Sequence, residues 1–413
     1  MKMLNDINIG IIGAGAAGLS AALALKNKGY KNITILEKEA YAGGKCHTFY
    51  YQGRTFELGA VLLTHTFTKT FALLNKFELK VTSVSKNELF FNFNGEKINI
   101  TTQSEKIKFA WQFIVQLPYL NFKYRKLFKP GLENVPSELT QPFEYFCEHN
   151  NLDLFGKIAN IACTAYGYGY FDKVPTAYYL KYLNFFYILA ILQQNVFTFA
   201  DGAATIWKKV AEQLGVCYQQ QIKSIERKEK IQIQTQTEVF EFDKVILACP
   251  LDDSLHFLDA TPDEQELFSK IKHNKYYTFA LIVENMPRRD RGYLPTNFSP
   301  ENQGHIMFWY RRYPDTNLYL LYVLANDRQE EQDIEKIMIE DLRKLGATIK
   351  QKYDSAKWKY FPHVDPVDME NKFYDRLESW QGINGTYFVG ELLNFSYIEG
   401  VVEYSYDLVK RFF

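Results

Sequence analysis

The stretch that decides the fold is Ile7-Asn8-Ile9-Gly10-Ile11-Ile12-Gly13-Ala14-Gly15-Ala16-Ala17-Gly18, followed by Ile33-Thr34-Ile35-Leu36-Glu37. A short apolar strand leads through Gly-x-Gly-x-x-Gly into an alanine-rich helix that extends to Leu25. Gly13 permits a sharp turn, Gly15 lets the backbone approach a pyrophosphate, and Gly18 allows close packing of helix on strand. The pattern predicts a Rossmann-type dinucleotide-binding unit, whereas the alternative is a glycine-rich turn in an ordinary parallel sheet.

The first helical turn and the acid after the second strand complete this motif. Ala16 and Ala17 begin a helix whose free N–H groups and dipole point toward a diphosphate. Glu37 follows Gly18 by about twenty residues, where a carboxylate accepts hydrogen bonds from both ribose hydroxyls. Because a 2′-phosphate would meet this negative charge, NADP is disfavoured.

A second glycine-containing loop favours FAD over NAD. Lys38 begins an irregular stretch that contains Gly43, Gly44 and Lys45, and it leads to Phe56-Glu57-Leu58-Gly59-Ala60. An extended FAD needs such a loop, in which the glycines allow close approach and Lys45 or Arg54 neutralises phosphate charge. A flexible surface loop is the alternative interpretation.

The C-terminal segment is expected to return to this site. Gly390-Glu391 follows a strand over residues 386–389, and Gly400-Val401 begins a final helix whose N-terminus can face the flavin pyrimidine edge. Glu391 can accept a hydrogen bond from a ribityl hydroxyl. Ile222, in the strand before a hairpin, is the candidate contact for the adenine.

Length and charge limit the classes of function. The chain has 413 residues, enough for two or three lobes, and 48 basic residues balance 48 acidic ones. This balance gives no overall field for nucleic acid. Aromatic residues make up 16% of the chain, which fits either an aromatic core or an aromatic-lined cavity for an apolar ligand.

The cysteines and the apolar stretches indicate the cellular location of the protein and whether it spans a membrane. Five scattered cysteines without Cys-x-x-Cys predict neither a disulfide framework nor a metal site, and a reducing cytoplasm is the simplest location. The fingerprint strand starts so early that we expect no cleavable signal peptide. The longest apolar stretch, residues 183–192, is too short to span a bilayer.

The order of predicted elements divides the chain into three discontinuous parts. Residues 1–80, 201–265 and 366–413 form the predicted FAD-binding domain. Residues 81–104, read as a hairpin with an Asn-Gly turn at Asn94-Gly95, join 266–365 in a mixed-sheet substrate domain. Residues 105–200 form a helical cap. The predicted class is therefore α/β, with an amine-oxidase-like arrangement.

The cap contains two patterns with alternative interpretations. Tyr168 and Phe171 lie in Tyr166-Gly167-Tyr168-Gly169-Tyr170-Phe171, and further rings follow at helical spacing. They indicate either ordinary helix packing or a substrate channel. Residues 111–129 combine apolar and basic side chains, which fits a solvated helix face or a transient contact with a membrane surface.

Together, the fingerprint, Gly43-Gly44, the 56–60 stretch and Gly390-Glu391 with Gly400 resemble the flavin-containing amine oxidase superfamily. A closer resemblance is to the bacterial polyunsaturated fatty acid double-bond isomerases, which make conjugated linoleic acid from linoleate. It is carried by residues 43–47, 166–175, 200–202, 360–364 and 407–413.

This resemblance implies a redox-neutral use of FAD. The flavin N5 would take a hydride from the methylene between two cis double bonds and return it to another carbon. The resemblance therefore implies no catalytic side chain, because flavin N5 carries the chemistry and the protein supplies positioning in a dry aromatic cavity. The expected partner is a small apolar substrate, a polyunsaturated fatty acid, without metal or nucleic acid.

Two departures from these families keep alternatives open. The isomerases anchor the fatty carboxylate with an arginine, but the matching stretch here offers only Lys86, with Glu88 nearby; Arg311-Arg312 is either a replacement anchor or a solvated hairpin end. Phe197 or Phe199 would flank the entrance, as an aromatic residue does in the relatives.

The second departure is from the amine oxidases. Tyr397 matches one ring of the amine oxidase cage. The amine oxidases carry a flavin-facing lysine on the strand over residues 276–280, but the only lysine near that strand here is Lys275, at its edge. An amine oxidase or desaturase, or a flavin-carrying lipid-binding protein, remains the alternative function.

Overall fold

A computed structural model describes residues 6–84, 88–92, 94–287 and 289–413. Its strands are β1 (Ile9–Ile12), β2 (Ile33–Leu36), β3 (Thr48–Tyr51), β4 (Arg54–Glu57), β5 (Leu63–Thr64), β6 (Val81–Ser83), β7 (Glu88–Phe90), β8 (Val196–Phe199), β9 (Ile222–Arg227), β10 (Ile231–Thr235), β11 (Val239–Phe242), β12 (Lys244–Leu247), β13 (Lys272–Glu284), β14 (Arg291–Tyr293), β15 (Ile306–Tyr310), β16 (Leu318–Ala325), β17 (Thr348–His363) and β18 (Thr386–Phe388). Its α-helices are α1 (Ala16–Asn27), α2 (Thr68–Lys76), α3 (Gln103–Trp111), α4 (Leu117–Lys123), α5 (Phe143–His149), α6 (Asp153–Ala165), α7 (Thr176–Tyr182), α8 (Phe185–Leu192), α9 (Ala203–Leu214), α10 (Leu251–Ser254), α11 (Pro262–Phe268), α12 (Glu331–Lys344), α13 (Pro366–Glu370), α14 (Phe373–Ser379) and α15 (Ile398–Phe412). A π-helical turn, Gln112–Gln116, joins α3 to α4.

A parallel sheet of order β18-β12-β1-β2 forms the centre of the dinucleotide-binding region. All its pairings are parallel, and β1 runs between β2 and β12. Every residue from Ala17 to Leu25 of α1 is buried, because this helix packs on the sheet and lies against α9 and α15. Small side chains allow that close packing, which fixes the N-terminus of α1 at the carboxyl end of β1.

A second sheet of order β17-β13-β16-β15-β14-β7 forms the substrate side of the molecule. Its pairings are antiparallel apart from β14 with β7. Side chains alternate between two buried faces. Tyr277, Phe279 and Trp309 belong to the face that packs with α12, whereas Tyr276, Phe308 and Tyr322 belong to the opposite face.

The predicted α/β class is confirmed, and several element boundaries match closely. The predicted helix from Ala203 to Leu214 has those bounds, and β2 spans Ile33–Leu36 as expected. The hairpin predicted over residues 81–100 is present only around its Asn-Gly turn, where Phe91 forms an antiparallel bridge with Lys97 and Ile98 N–H donates to Phe90 O at 2.9 Å. The strands of the stretch also find long-range partners, because β6 pairs with β8 and β7 pairs with β14. The turn itself is closed by Gly95 N–H, which donates to Asn92 O.

The division into three discontinuous domains stays a prediction. β8, within the predicted cap, pairs with β5 and β6, so the cap is tied to its neighbours by backbone hydrogen bonds. No helix in the described part of the chain combines the length and apolarity needed to cross a bilayer.

Candidate functional site

A cavity of about 730 Å³ extends from the glycine-rich turn after β1 to the inner face of the six-stranded sheet. One end is lined by Gly13, Gly15 and Glu37 with both glycine-containing loops. The other end is lined by aromatic side chains from the sheet and the cap. The two ends differ in chemistry, so each is described separately.

The glycine-rich turn has the close contacts that its sequence predicts. Gly13 has a φ of +106°, and a Cβ on Gly18 would lie 2.0 Å from Gly13 O. Gly18 therefore does not line the cavity but allows α1 to pack against the turn. Gly15 differs, since a Cβ there would meet only Gly44 Cα at 3.9 Å, and Gly15 lines the cavity with Ala16 and Ala17.

Glu37 lies at the end of β2 and faces the same end of the cavity. Its Oε2 accepts from Ala14 N–H at 2.7 Å, and its Oε1 accepts from Glu39 N–H at 2.9 Å. Each carboxylate oxygen retains acceptor capacity, which suits a pair of ribose hydroxyls. Ile222 and Lys38 line this end as well, and Gln220 N–H donates to Glu37 O at 2.8 Å.

The second glycine loop docks on the first. Gly43 N–H donates to Ala14 O at 2.9 Å, and Gly15 and Gly43 form a parallel bridge. Gly43 and Gly44 have φ values of +127° and +56°, which favour glycine. A Cβ on Gly59 would lie 1.8 Å from Lys45 O, so the chain closes tightly behind this loop. Gly43, Gly44, Gly59 and Ala60 all line the cavity.

Among the described residues, one ion pair joins this loop to the C-terminal segment, and it is formed by Lys45 and Glu391. Lys45 Nζ lies 2.9 Å from Glu391 Oε2, and Ser396 Oγ donates to the same oxygen at 3.1 Å. Both side chains line the cavity, where Lys45 adds positive charge. Arg54 lies elsewhere and pairs with Asp315 at 2.6 Å.

The C-terminal segment approaches the cavity as α15 begins. Gly390, with a φ of +141°, and Val401 line the wall beside Tyr397. Gly400 does not line the cavity; a Cβ there would lie 2.5 Å from the Tyr397 ring, so this glycine allows the ring to pack closely on α15. Glu399, which sequence reasoning missed, fixes this position: its carboxylate accepts from the backbone N–H groups of residues 69 and 70 at the start of α2.

These residues fit an extended dinucleotide such as FAD. The two loops present backbone with no side chain at Gly15, Gly43 and Gly44, next to the N-terminus of α1. This helix has no acidic residue in its first turn and no side-chain cap, so its N–H groups suit a diphosphate.

The opposite end of the cavity is a chamber walled by rings. The aromatic side chains that line it are Phe67, Tyr166, Tyr168, Tyr182, Tyr187, Tyr276, Phe308, Tyr310, Tyr322, Trp358, Tyr360 and Tyr397. Several hydroxyls bond within the wall: Tyr276 donates to Ala165 O at 2.6 Å, and Tyr168 donates to Ser396 O at 3.2 Å. With these hydroxyls engaged, the rings present mainly apolar surface to the chamber.

The chamber tyrosines are neutral at physiological pH. Burial raises the pKa of Tyr310 to about 12. Burial also holds the pKa of four others well above the usual range of tyrosine, namely Tyr168, Tyr182, Tyr276 and Tyr322. None of these phenols can serve as a general base near neutrality.

Arg291, which sequence reasoning also missed, places a positive charge in this chamber. Its guanidinium Nη2 lies 3.3 Å from Glu88 Oε2, and its side chain is 16% exposed against 39% for Glu88. Arg291 lines the cavity with Tyr166 and Tyr310. No sequence pattern marks Arg291, because it reaches the chamber through the parallel pairing of β14 with β7.

Other predicted substrate residues lie in different places. Phe171 packs among buried cap rings, 4.4 Å from Tyr179 and 4.7 Å from Phe143 between centroids, outside the cavity wall. Phe197 and Phe199, in β8, are also outside the lining, although Phe197 contacts Phe71. Lys86 lies outside the described residues. Arg312 pairs with Glu57 at 3.6 Å, and Arg311 pairs with Asp290 at 3.3 Å.

The features expected of an amine oxidase substrate site are only partly present in this chamber. Tyr397 lines the chamber, with tilted ring contacts to Phe67, Tyr182 and Phe395. Lys275 points away from the cavity and pairs with Glu330 at 3.0 Å, whereas Thr278 of the same strand lines it. Among the described residues, the lysines that line the cavity are Lys38 and Lys45, both from the segment after β2, and Lys45 Nζ lies 5.6 Å from the centre of the Tyr360 ring.

Comparison with known proteins adds independent information. The flavin containing amine oxidoreductase family matches residues 16–406. The crystal structure of the CLA-producing fatty acid isomerase from P. acnes is 31% identical, with a TM-score of 0.95 over 100% of both chains. The FAD-dependent oxidoreductase dpasF of Apiospora sacchari is 24% identical over 94% of this chain and 88% of its own. A polyenoic fatty acid isomerase of Ptilota filicina is 25% identical over 202 residues, covering 42% and 40%. These matches confirm FAD as the cofactor.

Proposed function

The chain belongs to the flavin containing amine oxidoreductase family, and we propose that it is an FAD-dependent isomerase that moves a double bond in a polyunsaturated fatty acid. The observation that carries this proposal is the likeness to the CLA-producing fatty acid isomerase from P. acnes. That protein is 31% identical and aligns over the full length of both chains with a TM-score of 0.95. The partial match to a polyenoic fatty acid isomerase of Ptilota filicina supports the same class of substrate.

In this proposal, the residues of the dinucleotide end hold and orient the cofactor. Glu37 binds the ribose hydroxyls, Gly15 and Gly44 admit the pyrophosphate, and Lys45 offsets phosphate charge. Glu391, held by Lys45 and Ser396, accepts from the ribityl chain. Bound FAD supplies a group that can accept a hydride and give it back, which is the chemistry that the side chains lack.

The aromatic chamber orients the fatty chain and excludes water. Its rings present apolar surface, and their high pKa values keep the phenols neutral. A double-bond shift without a proton transfer needs no general base, so a wall of neutral rings suits it. Aromatic faces also stabilise positive charge that develops on an allylic carbon skeleton.

Arg291 is the proposed partner of the fatty carboxylate. The guanidinium lines the chamber among Tyr166, Tyr310 and Phe308, and its geometry allows two parallel hydrogen bonds to a carboxylate. Glu88 already lies 3.3 Å away, so an incoming carboxylate would share or displace this contact. In this proposal, Arg291 on the strand beside β7 takes the role of the arginine that the resemblance led us to seek in residues 85–90.

An amine oxidase or a desaturase is the alternative function, and Tyr397 is the observation that favours it. This ring lines the chamber at the start of α15, as one ring of an amine oxidase cage would. Against it, the strand position that faces the chamber is Thr278, and Lys275 is paired with Glu330 on the other side. We therefore rank amine oxidation second.

The deciding experiment incubates the purified yellow protein with linoleate without oxygen and follows the ultraviolet absorbance of a conjugated diene. We expect diene without hydrogen peroxide, and methylene-deuterated linoleate should keep its label in the product. Peroxide without diene, in air and across several polyenoic acids, would overturn the proposal in favour of an oxidase. A shifted flavin spectrum with linoleate recovered unchanged would instead indicate a lipid-binding protein without turnover.

A further inference from the structure

The helical run from α3 through the π-helical turn to α4 is apolar on two opposite faces. Phe113, Leu117 and Leu120 lie on the buried face and pack into the cap. A second stripe on the same run remains exposed to solvent: Ile107, Trp111, Ile114, Val115, Tyr119 and Phe122. A surface helix normally carries one apolar stripe, toward the core. The second stripe therefore has no partner within the described part of the chain.

Helix α8, which adjoins this run, carries further exposed apolar side chains. Phe186, Ile191 and Leu192 are exposed on it. Nine of the seventeen exposed large apolar side chains in the described residues thus belong to these two neighbouring segments. Such a concentration indicates an interaction site, because single exposed apolar residues are usually scattered. We call this surface the α3–α4–α8 face.

The two segments are joined by direct contacts. The rings of Phe113 and Phe185 stack with centroids 5.1 Å apart, and Phe185 N–H donates to Asn121 Oδ1 at 3.3 Å. Helix α8 therefore packs directly against the α3–α4 run, so the exposed side chains of the α3–α4–α8 face belong to adjoining elements of the cap.

Basic side chains border this face. Arg125, Lys126 and Lys129 are exposed directly after α4, and the Arg125 guanidinium lies 5.3 Å from the centre of the Phe122 ring. Lys123 adds a fourth charge, although it pairs with Glu138 at 3.1 Å. Exposed aromatic residues bordered by Lys and Arg are typical of helices that lie in the headgroup region of an anionic bilayer.

We propose that the α3–α4–α8 face docks on an anionic phospholipid membrane, from which the protein collects its substrate. α8 connects the two regions, because Tyr187 lines the cavity while its neighbour Phe186 is exposed on this face. The docking itself rests on the exposed rings and the charges. The collection of substrate rests on the proposed function, in which the substrate is a polyunsaturated fatty acid.

The test floats the FAD-loaded protein with vesicles of phosphatidylcholine, with and without phosphatidylglycerol, in the absence of substrate. We expect flotation that needs the anionic lipid and weakens with salt. Trp111→Ser with Phe122→Ser should lower the partition coefficient by about ten-fold or more, and Lys126→Glu with Lys129→Glu should do so on anionic vesicles only. The matched control is Ile339→Ser with Val239→Ser, two exposed apolar residues on other elements, which should float like the wild type.

The fluorescence of Trp111 also reports on docking directly, because Trp111 is the exposed one of the five tryptophans. Its emission should shift to shorter wavelength on anionic vesicles, and Trp111→Phe should abolish the shift. Wild-type protein that does not float would overturn the proposal. A wild-type dimer that Trp111→Ser with Phe122→Ser converts to a monomer, without flotation, would instead assign the face to a second copy.

The two proposals fail separately. Diene formation from detergent-dispersed linoleate without flotation would overturn only the membrane inference. Flotation without diene formation would overturn only the proposed isomerase.

Discussion

Arg291 and Glu88 lie opposite each other on the parallel strands β14 and β7, with 3.3 Å between Arg291 Nη2 and Glu88 Oε2. Arg291 forms part of the chamber wall, whereas Glu88 is the more exposed partner behind it. From the sequence alone, Glu88 is expected to repel a fatty carboxylate. In the structure, Glu88 holds the Arg291 guanidinium in place. This relationship leads to a pair of opposite predictions.

Replacing Arg291 with Gln should raise KM for linoleate by about 10- to 100-fold, with a smaller change in kcat, because charge-assisted hydrogen bonds to the carboxylate are lost. Glu88→Gln should lower KM, since it removes the competing carboxylate. The measurement is steady-state diene formation. The methyl ester of linoleate is the control substrate and should respond to neither variant. Equal effects of Arg291→Gln on acid and ester would show that the residue only maintains the fold.

Two glycines of the fingerprint should separate cofactor binding from folding. Gly15→Ala adds a Cβ that meets only Gly44 Cα at 3.9 Å, at an ordinary φ of −78°. We expect the FAD-free protein to unfold at an unchanged temperature, while FAD affinity falls by about ten-fold or more because the methyl group occupies the path of the pyrophosphate. Gly18→Ala should instead destabilise the FAD-free protein, since its Cβ would lie 2.0 Å from Gly13 O. Thermal unfolding and flavin titration distinguish the two, and equal behaviour of both variants would contradict this assignment.

His363 should make stability depend on pH. Burial lowers the pKa of His363 to about 4, and its Nδ1 donates to Phe361 O at 2.8 Å. The unfolded side chain titrates near the ordinary value of 6.5, so the unfolded state binds more protons between these values. The free energy of unfolding should therefore fall as pH drops from 6.5 to 4, by up to about 3 kcal/mol. His363→Gln should remove this part of the pH dependence in denaturant titrations, and an unchanged slope would count against a partly buried, neutral histidine.

Sequence reasoning was most successful where local backbone constraints set the structure. A glycine fingerprint between two apolar strands specifies a turn, and its close contacts at Gly13 and Gly18 follow from sterics within about twenty residues. The bounds of α9 follow equally from local signals, with Gly202 before it and Gly215 after it. The hairpin around Asn94-Gly95 is shorter than predicted, because strand partners distant in sequence decided the pairing of β6 and β7.

The substrate chamber depended on long-range register. Tyr276 and Thr278 face the cavity while Tyr277 faces α12, an alternation that is fixed once β13 pairs with β16 and β17. The high aromatic content of the sequence does not indicate which of the rings line a ligand cavity. Phe171 and Tyr168 are neighbours in one motif, but Tyr168 lines the chamber and Phe171 packs inside the cap.

The sequence by itself determined a dinucleotide site, because glycines and an acid at fixed spacing encode it through local geometry alone, and the second glycine loop with Gly390-Glu391 favoured FAD over NAD. The tertiary structure decided which rings form the chamber, that Arg291 rather than a residue of β7 brings positive charge to it, and that an apolar face of the cap stays exposed. Each of these depends on strand register and helix packing between segments far apart in the chain. These contacts form only when the whole chain has folded, so they cannot be predicted from any short stretch of sequence.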